Sequence, residues 1–295
     1  MGWRVYGIDN QTYASNPSLI KTFKSHYKDK FTYINEDIAD LKYLPDCDYV
    51  INTAAETHVG NSIIDSKAFL RTNIDGVQNL LELIKAKPAN VASRPVLFHF
   101  STDEVYGDIA DGEHTEDDPL NPSNPYSASK AAGDILIKAW ARTYGIEYFI
   151  LRPANNYGTY QYPEKLLPLA VKLLMRDKKI RLHDEGTPIR SWLHAEDTAN
   201  AVISIIINGK INEIYNVSGG FEQQNVETIR EIIKAFHGTD ENWEQHVDLG
   251  HKRPGQDVRY ALNDDKLRSL GWEPEKIFNE EIENLVKFYT NNFKW

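Results

Sequence analysis

The chain carries one cysteine, Cys47, in 295 residues, so it can form no intrachain disulfide, which fits a reducing compartment. It has no apolar run approaching the roughly 20 residues that span a bilayer. Residues 1–9 lack the pattern of a signal peptide. A cytoplasmic protein with no membrane partner is expected. Lys and Arg form no stripe, and the net charge is −10, which argues against nucleic acid or an anionic membrane as partners. A small anion needs only a few local cations and stays open. No His/Cys grouping has metal-ligand spacing, so no metal is expected. Long Gly/Ser or Pro linkers, internal repeats and low-complexity segments are also missing. What is there is a 41% hydrophobic chain, enough for a real core. Its length suits one large α/β domain, or a main domain with a smaller lobe.

Strand-like and helix-like segments alternate. Residues 3–8, 31–34, 49–52, 95–101 and 147–151 read as short apolar strands. Val77, Leu80, Leu81 and Ile84 mark one face of a helix, and 126–144 is an Ala-rich helical stretch. This β-α-β order predicts a doubly wound parallel sheet of Rossmann-like α/β class. Ligands bind beyond the carboxyl ends of such strands. After Gly158 the pattern loosens. Residues 163–168 open a helix, 190–194 form a short strand or ordered loop, 213–217 a strand and 226–236 a helix, and 264–288 read as mostly helical. The expected division is 1–158 for a nucleotide-binding domain and 159–295 for a smaller substrate lobe, partly interleaved with it.

The chemistry gathers at two strand-end pieces. Thr102-Asp103-Glu104 follows the apolar run 95–101. Adjacent carboxylates push their pKa values apart, which suits a general acid beside a general base. Tyr126 and Lys130, four apart, share one helix face. An ammonium there favours the phenolate, so Tyr126 is a candidate proton acceptor. Taken alone, each piece also describes ordinary solvated side chains. Acid, base, phenol and ammonium at one end of a sheet make a proton-and-hydride toolkit.

Ser101-Thr102-Asp103-Glu104-Val105-Tyr106-Gly107, Asn155-Asn156-Tyr157-Gly158, Pro163-Glu164-Lys165-Leu166, Arg190-Ser191-Trp192 and Arg253-Pro254-Gly255 carry a wider likeness. From Asp9 onward the chain resembles the extended short-chain dehydrogenase/reductases, and within them the nucleoside-diphosphate-glucose 4,6-dehydratases. The resemblance implies a homodimeric lyase that uses NAD to convert a nucleoside-diphosphate glucose, foremost dTDP-glucose, to its 4-keto-6-deoxy form. It implies catalytic roles for Thr102, Asp103, Glu104, Tyr126 and Lys130. Tyr126 takes the 4-hydroxyl proton, Thr102 holds the 4-oxygen, Glu104 removes the C5 proton and Asp103 protonates the departing 6-hydroxyl. Asp9, Asp37, Ile38, Ala54, Ala55, Thr57 and Ser101, with Tyr126 and Lys130, stand at positions that line NAD. An aspartate at position 9 suits ribose hydroxyls and disfavours the phosphate of NADP. Glu56, Asn155, Lys165, Leu166, Arg190, Asn225 and Arg253 stand at substrate positions, where arginines fork onto phosphate oxygens. His58 reads as a positioning or packing residue.

The chain departs from that family in one large respect. The family opens with a strand and a G-x-x-G-x-x-G turn that brings the pyrophosphate to a helix N-terminus, and no such segment occurs here. Its loss is expected to expose two strand edges and remove most of the pyrophosphate site. The expected explanations are an incomplete sequence or late start of a complete enzyme, or a truncated, inactive relative. Smaller departures at Gly60, Asn61 and Gln256 bear on nucleotide preference. Two other functions stay open: a sugar-nucleotide epimerase or decarboxylase, which has no use for an acid at a leaving hydroxyl, and a non-catalytic sugar-nucleotide binder.

Overall fold

A computed structural model describes residues 2–88, 94–255 and 257–292; Gln256 lies outside them. The first half runs β1 (Val5–Ile8), α1 (Pro17–Tyr27), β2 (Phe31–Ile34), β3 (Tyr49–Asn52), α2 (Val59–Ile64), α3 (Lys67–Leu70), α4 (Gly76–Ala86), β4 (Val96–Phe100), α5 (Pro125–Tyr144) and β5 (Tyr148–Pro153). The second runs β6 (Asn155–Tyr157), α6 (Leu166–Leu174), β7 (Ile180–His183), β8 (Ile189–His194), α7 (Ala195–Asn208), β9 (Glu213–Val217), β10 (Glu222–Gln224), α8 (Asn225–His237), β11 (Val247–His251), α9 (Asp265–Arg268) and α10 (Phe278–Asn292). The tail is less helical than its sequence suggests. Pro274 stands between α9 and α10, where its missing N–H disfavours a continuous helix.

The central sheet is parallel, in the order β3-β4-β5-β9. Every residue of β5 is buried, as a strand covered on both faces requires. Successive side chains point to opposite faces. Leu97 and Ile150 join one core with Leu81, Ile84 and Ile137, and Phe98 and Phe149 join the other with Leu193, Tyr215 and Val217. That is the doubly wound α/β arrangement. A third core, built from Leu167, Val171, Ile229, Ile233, Ile282 and Tyr289, lies under α6, α8 and α10. Strand β9 threads residues 213–217 into the sheet of the first half, so the halves interleave.

Strands β1 and β2 pair in parallel as a separate two-stranded sheet. Among the described residues no strand joins β1 to β3. Val5 and Ile51 are each more than two-fifths exposed, as expected of strands lacking a neighbour. The two sheets share a core nonetheless, since Ile8 and Ile38 pack with Val50 and Ala54.

The start of α5 is fixed locally. Asn124 accepts from the Ser127 N–H at 3.0 Å, and the Ser127 hydroxyl accepts from the Asn124 N–H at 3.2 Å. Pro125 fills the first helical position, where it needs no N–H. The helix stops at Gly145, whose φ of 67° is left-handed. This cap places Tyr126 in the first turn and Lys130 in the second.

Candidate active site

The chain leaves β4 at Phe100 and tightens into a 3₁₀ turn over Asp103–Val105, capped by Thr102. Thr102 Oγ1 accepts from the Glu104 N–H at 3.4 Å and donates to Asp103 Oδ1 at 2.9 Å. The turn parts the two carboxylates. Asp103 is 3% exposed, and burial, then the charge of Glu104, pushes its carboxyl up to about 7 against Thr102 and Arg190. Glu104 is also raised by burial, but Arg190, Asn124, Lys165 and Arg253 all favour its ionised form. Asp103 therefore holds its proton near neutrality, and Glu104 faces a cluster of cations.

Tyr126 and Lys130 are both buried. Thr102 stands beside the Tyr126 hydroxyl and favours its ionised form, which links the phenol to the carboxylate turn. Burial and the charges of Glu104 and Asp103 raise its pKa, against the lowering expected from Lys130. The reason is geometric. Lys130 Nζ donates to the Phe100 carbonyl at 2.5 Å, and burial brings its own pKa down to about 8. One turn further on, buried Asp134 pairs with Arg152 at 2.9 Å, and its charge favours the lysine ammonium.

Four residues behind Glu104 escaped the sequence reading. Asn124 Nδ2 donates to Glu104 Oε2 at 3.3 Å, and the Tyr260 hydroxyl lies 3.4 Å from the same oxygen. The Tyr260 and Ser123 hydroxyls both donate to Asp257. Arg190 lies over the Tyr260 ring, 4.7 Å from its centroid, and donates to the Asp257 carbonyl at 3.2 Å. Asn124 was legible as a helix cap; Tyr260 and Asp257 arrive from far along the chain with no local signal. Asn73 is a fifth. It sits in a π-helical turn, Arg71–Asp75, of the kind often found at functional sites. Its amide exchanges two hydrogen bonds with the Glu56 backbone, each 3.0 Å, and donates to Ser129 at 2.9 Å. It thus ties the segment after β3 to the helix of Tyr126.

The expected substrate residues converge only in part through direct contact. Arg190, Lys165 and Arg253 all act on Glu104. Lys165 Nζ donates to the Thr57 carbonyl at 2.8 Å, and its charge and that of Glu164 act on half-buried Glu56. Asn155 Oδ1, Asn225 Oδ1 and Arg253 Nε are buried without hydrogen-bond partners, as a site made for a polar ligand leaves them. Leu166 begins α6 and packs against the third core. His58 caps α2, accepting from the Asn61 N–H at 3.1 Å, in keeping with a positioning role.

The expected cofactor residues divide. Ser101, Tyr126 and Lys130 are buried at the β4 end, with Ala54, Ala55 and Thr57 half-buried after β3. Asp9 lies exposed after β1, its Oδ1 accepting from the Gln11 N–H at 2.6 Å. Asp37 caps Ala39 at 2.8 Å and lies 3.6 Å from Arg71. The Ile38 side chain is a core residue, packed so closely under Gly76 that a Cβ there would sit 2.7 Å from it. These groups suit the ribose and nicotinamide ends of a dinucleotide; the sequence has no glycine-rich turn to suit its pyrophosphate. Among the described residues no group of three or more His, Cys, Asp or Glu is placed to hold a metal, and no helix is long and apolar enough to cross a membrane.

The chain is similar to known proteins over nearly its whole length. The chain is 36% identical to a dTDP-glucose 4,6-dehydratase of Haemophilus influenzae, over 98% of this chain and 90% of that one. It is equally similar to a low-salt glycan biosynthesis protein, Agl12, of Haloferax volcanii, over 97% and 90%. Its fold superposes with a TM-score of 0.90 on the dTDP-glucose 4,6-dehydratase of Streptomyces venezuelae, solved with NAD and dTDP bound; that match is 36% identical and covers 98% of this chain and 88% of the other. The family model described as GDP-mannose 4,6 dehydratase matches residues 1–285, and the chain belongs to that family.

Proposed function

We propose that this chain catalyses NAD-dependent dehydration of a nucleoside-diphosphate glucose, dTDP-glucose foremost, to the 4-keto-6-deoxy sugar nucleotide. One observation carries the reading: adjacent carboxylates held in unlike settings, Asp103 retaining its proton to about 7 and Glu104 ringed by Arg190, Lys165 and Arg253. Elimination of water needs that division, an acid for the leaving hydroxyl and a base for the neighbouring carbon. The relatives' names and the NAD and dTDP in the Streptomyces venezuelae structure support the cofactor and substrate.

NAD, when bound, supplies a hydride acceptor and then a donor. The side chains handle protons. Thr102 holds the sugar 4-oxygen, and Tyr126 takes the 4-hydroxyl proton as the C–H bond breaks; it does so as the phenolate, so the phenol, held neutral by burial and by the charges of Glu104 and Asp103, must first give up its own proton to solvent. Glu104, oriented by Asn124 and Tyr260, removes the proton on C5, and Asp103 gives its proton to the departing 6-hydroxyl. Lys130 would bind the nicotinamide ribose. Ser101, Ala54, Ala55 and Thr57 would line the cofactor, while Asp9 and Asp37, with the backbone at Ile38, would hold its adenosine end. Arg190, Arg253, Asn155, Asn225, Lys165 and the Leu166 backbone receive the nucleoside diphosphate, and Glu56 borders the hexose. Residues 1–158 form the NAD-binding part and 159–295 mainly the sugar-nucleotide lobe. The protein works in the cytoplasm as a homodimer, a state supported by exposed Ile63, Ile64, Leu70 and Ile135 on α2, α3 and α5.

The test is mass spectrometry of the chain with NAD+ and an equal mixture of dTDP-glucose and UDP-glucose. A product lighter by one water is expected, on the dTDP sugar. No dehydration of either sugar would overturn the assignment, and light scattering at the mass of one chain would overturn the dimer.

A further inference from the structure

The loop between β1 and α1 has its own scaffold. Gln11 donates from its backbone to Asp9 and from its side chain to the Tyr33 hydroxyl at 2.8 Å, and that hydroxyl donates to the Asp9 carbonyl at 2.9 Å. From this base Tyr13 reaches across to the segment before α6. Its hydroxyl donates to Glu164 Oε2 at 2.9 Å, and its ring meets Tyr162 edge-on, with centroids 5.3 Å apart at 81°. Asn61 of α2 stands beside the same hydroxyl. Beside this point Lys165 donates to the Thr57 carbonyl. Three stretches distant in sequence, 9–16, 54–61 and 162–165, are tied together there. The proton chemistry uses none of the Tyr13 contacts.

The position of this knot matters. Asp9 follows the carboxyl end of β1, and Tyr126 and Lys130 stand at the carboxyl end of β4. A dinucleotide reaching from one to the other passes the segment after β3, 54–57, which Lys165 holds through the Thr57 carbonyl, next in sequence to the Glu164 that Tyr13 meets. Tyr13 is 52% exposed, so its side chain can swing out without opening a core. Its closure rests on a phenol–carboxylate hydrogen bond and an edge-on ring contact.

We propose that Tyr13 and Glu164 form a clasp between the β1–α1 loop and the substrate lobe that closes over the bound dinucleotide and slows its release between turnovers. The proposal rests on the NAD site inferred above. A cofactor that is reduced and reoxidised within one turnover has no need to leave, and a clasp outside the reacting groups favours that economy.

The experiment is stopped-flow fluorescence of NADH release from the full chain, chased with excess NAD+. Tyr13→Phe keeps the ring and removes the hydrogen bond; Tyr13→Ala removes both contacts. NADH is expected to leave Tyr13→Phe about tenfold faster, the factor for losing one hydrogen bond to a charged group, and Tyr13→Ala faster still. Affinity for dTDP, measured by calorimetry, is expected to stay unchanged. Equal release rates in wild type and both variants would overturn the clasp alone. Failure of the wild-type chain to bind NADH would overturn the cofactor reading and the clasp with it.

Discussion

Asp103 offers the sharpest quantitative test, because the same burial that makes it an acid sets a pH-dependent cost on folding. Its carboxyl moves from an ordinary 3.8 to about 7, through burial first and the charge of Glu104 second. The folded chain therefore binds this proton more tightly than the unfolded chain. Below the ordinary value both states are protonated and the site costs nothing. As pH rises toward the folded value the unfolded chain loses its proton first, and stability falls until pH passes about 7. The interval is worth about 4 kcal/mol. Asp103→Asn keeps the shape and removes the ionisation. Relative to wild type, it is expected to gain about 4 kcal/mol of stability between about pH 4 and about pH 8, by urea unfolding of the cofactor-free chain at constant ionic strength. It is also expected to lose about 10²–10⁴-fold in the rate of water loss, the usual contribution of a general acid. A stability difference that stays flat across this range would refute the argument, because it would mean that Asp103 ionises in the folded chain as it does in water.

Two further exchanges probe the site's other supports. Glu104→Gln is expected to oxidise C4, seen as NADH absorbance, and to stall before water leaves; dehydration at the wild-type rate would show that another group is the base. The same variant removes one cause of the raised Asp103 pKa, so the stability fall should shift to lower pH. Arg152→Met leaves the fully buried Asp134 without its partner and is expected to cost about 3–5 kcal/mol in urea unfolding. Replacing both residues together, with Asp134→Leu, is expected to restore most of that; a double variant as unstable as the single one would refute a charge-burial cause.

Much of this was legible because local physics fixed it. The apolar run before Ser101 has no way to bury both faces except inside a parallel sheet, so the acid pair had to stand at a strand end. Tyr126 and Lys130 were placed by the Ala-rich stretch they open, although the Asn124, Pro125 and Ser127 cap that fixes its start went unread. The helix Ala195–Asn208 went unread although Ala201, Val202 and Ile205 lie on one buried face, because its exposed Ile207 blurs the period. Tyr260, Asp257 and Asn73 were beyond reach for another reason. Their roles come from contacts across long sequence separations, such as Tyr260 with Glu104, and nothing near them marks the partner. The direction of the Tyr126 pKa differs from that expected because burial, and then the charge of Glu104, raise it, and spacing on a helix gives a shared face but neither the depth of burial nor the direction of a lysine head group. Here the free carbonyl of Phe100, where β4 ends, captures the ammonium.

The proposed acid–base site and the proposed adenosine end rest on different parts of the molecule. Thr102, Asp103 and Glu104 hang from β4, Tyr126 and Lys130 from α5, and their supports, Arg152, Asn124, Tyr260 and Arg190, from β5 and the second half of the chain. None of these depends on the separate β1–β2 sheet, which meets the rest through Ile8 and Ile38 in the shared core and through Tyr13 at the lobe. Asp9 sits on the β1–β2 sheet. Asp37 follows β2, though its pair with Arg71, and that of Asp40 at 2.6 Å, fasten this segment to the helix region ahead of α4. A perturbation of the small sheet should therefore raise the dissociation constant for NAD while leaving the proton chemistry of a loaded site intact. Perturbing the Asp134–Arg152 pair should act the other way, since it underlies Lys130 and the end of β5 but touches neither Asp9 nor Asp37.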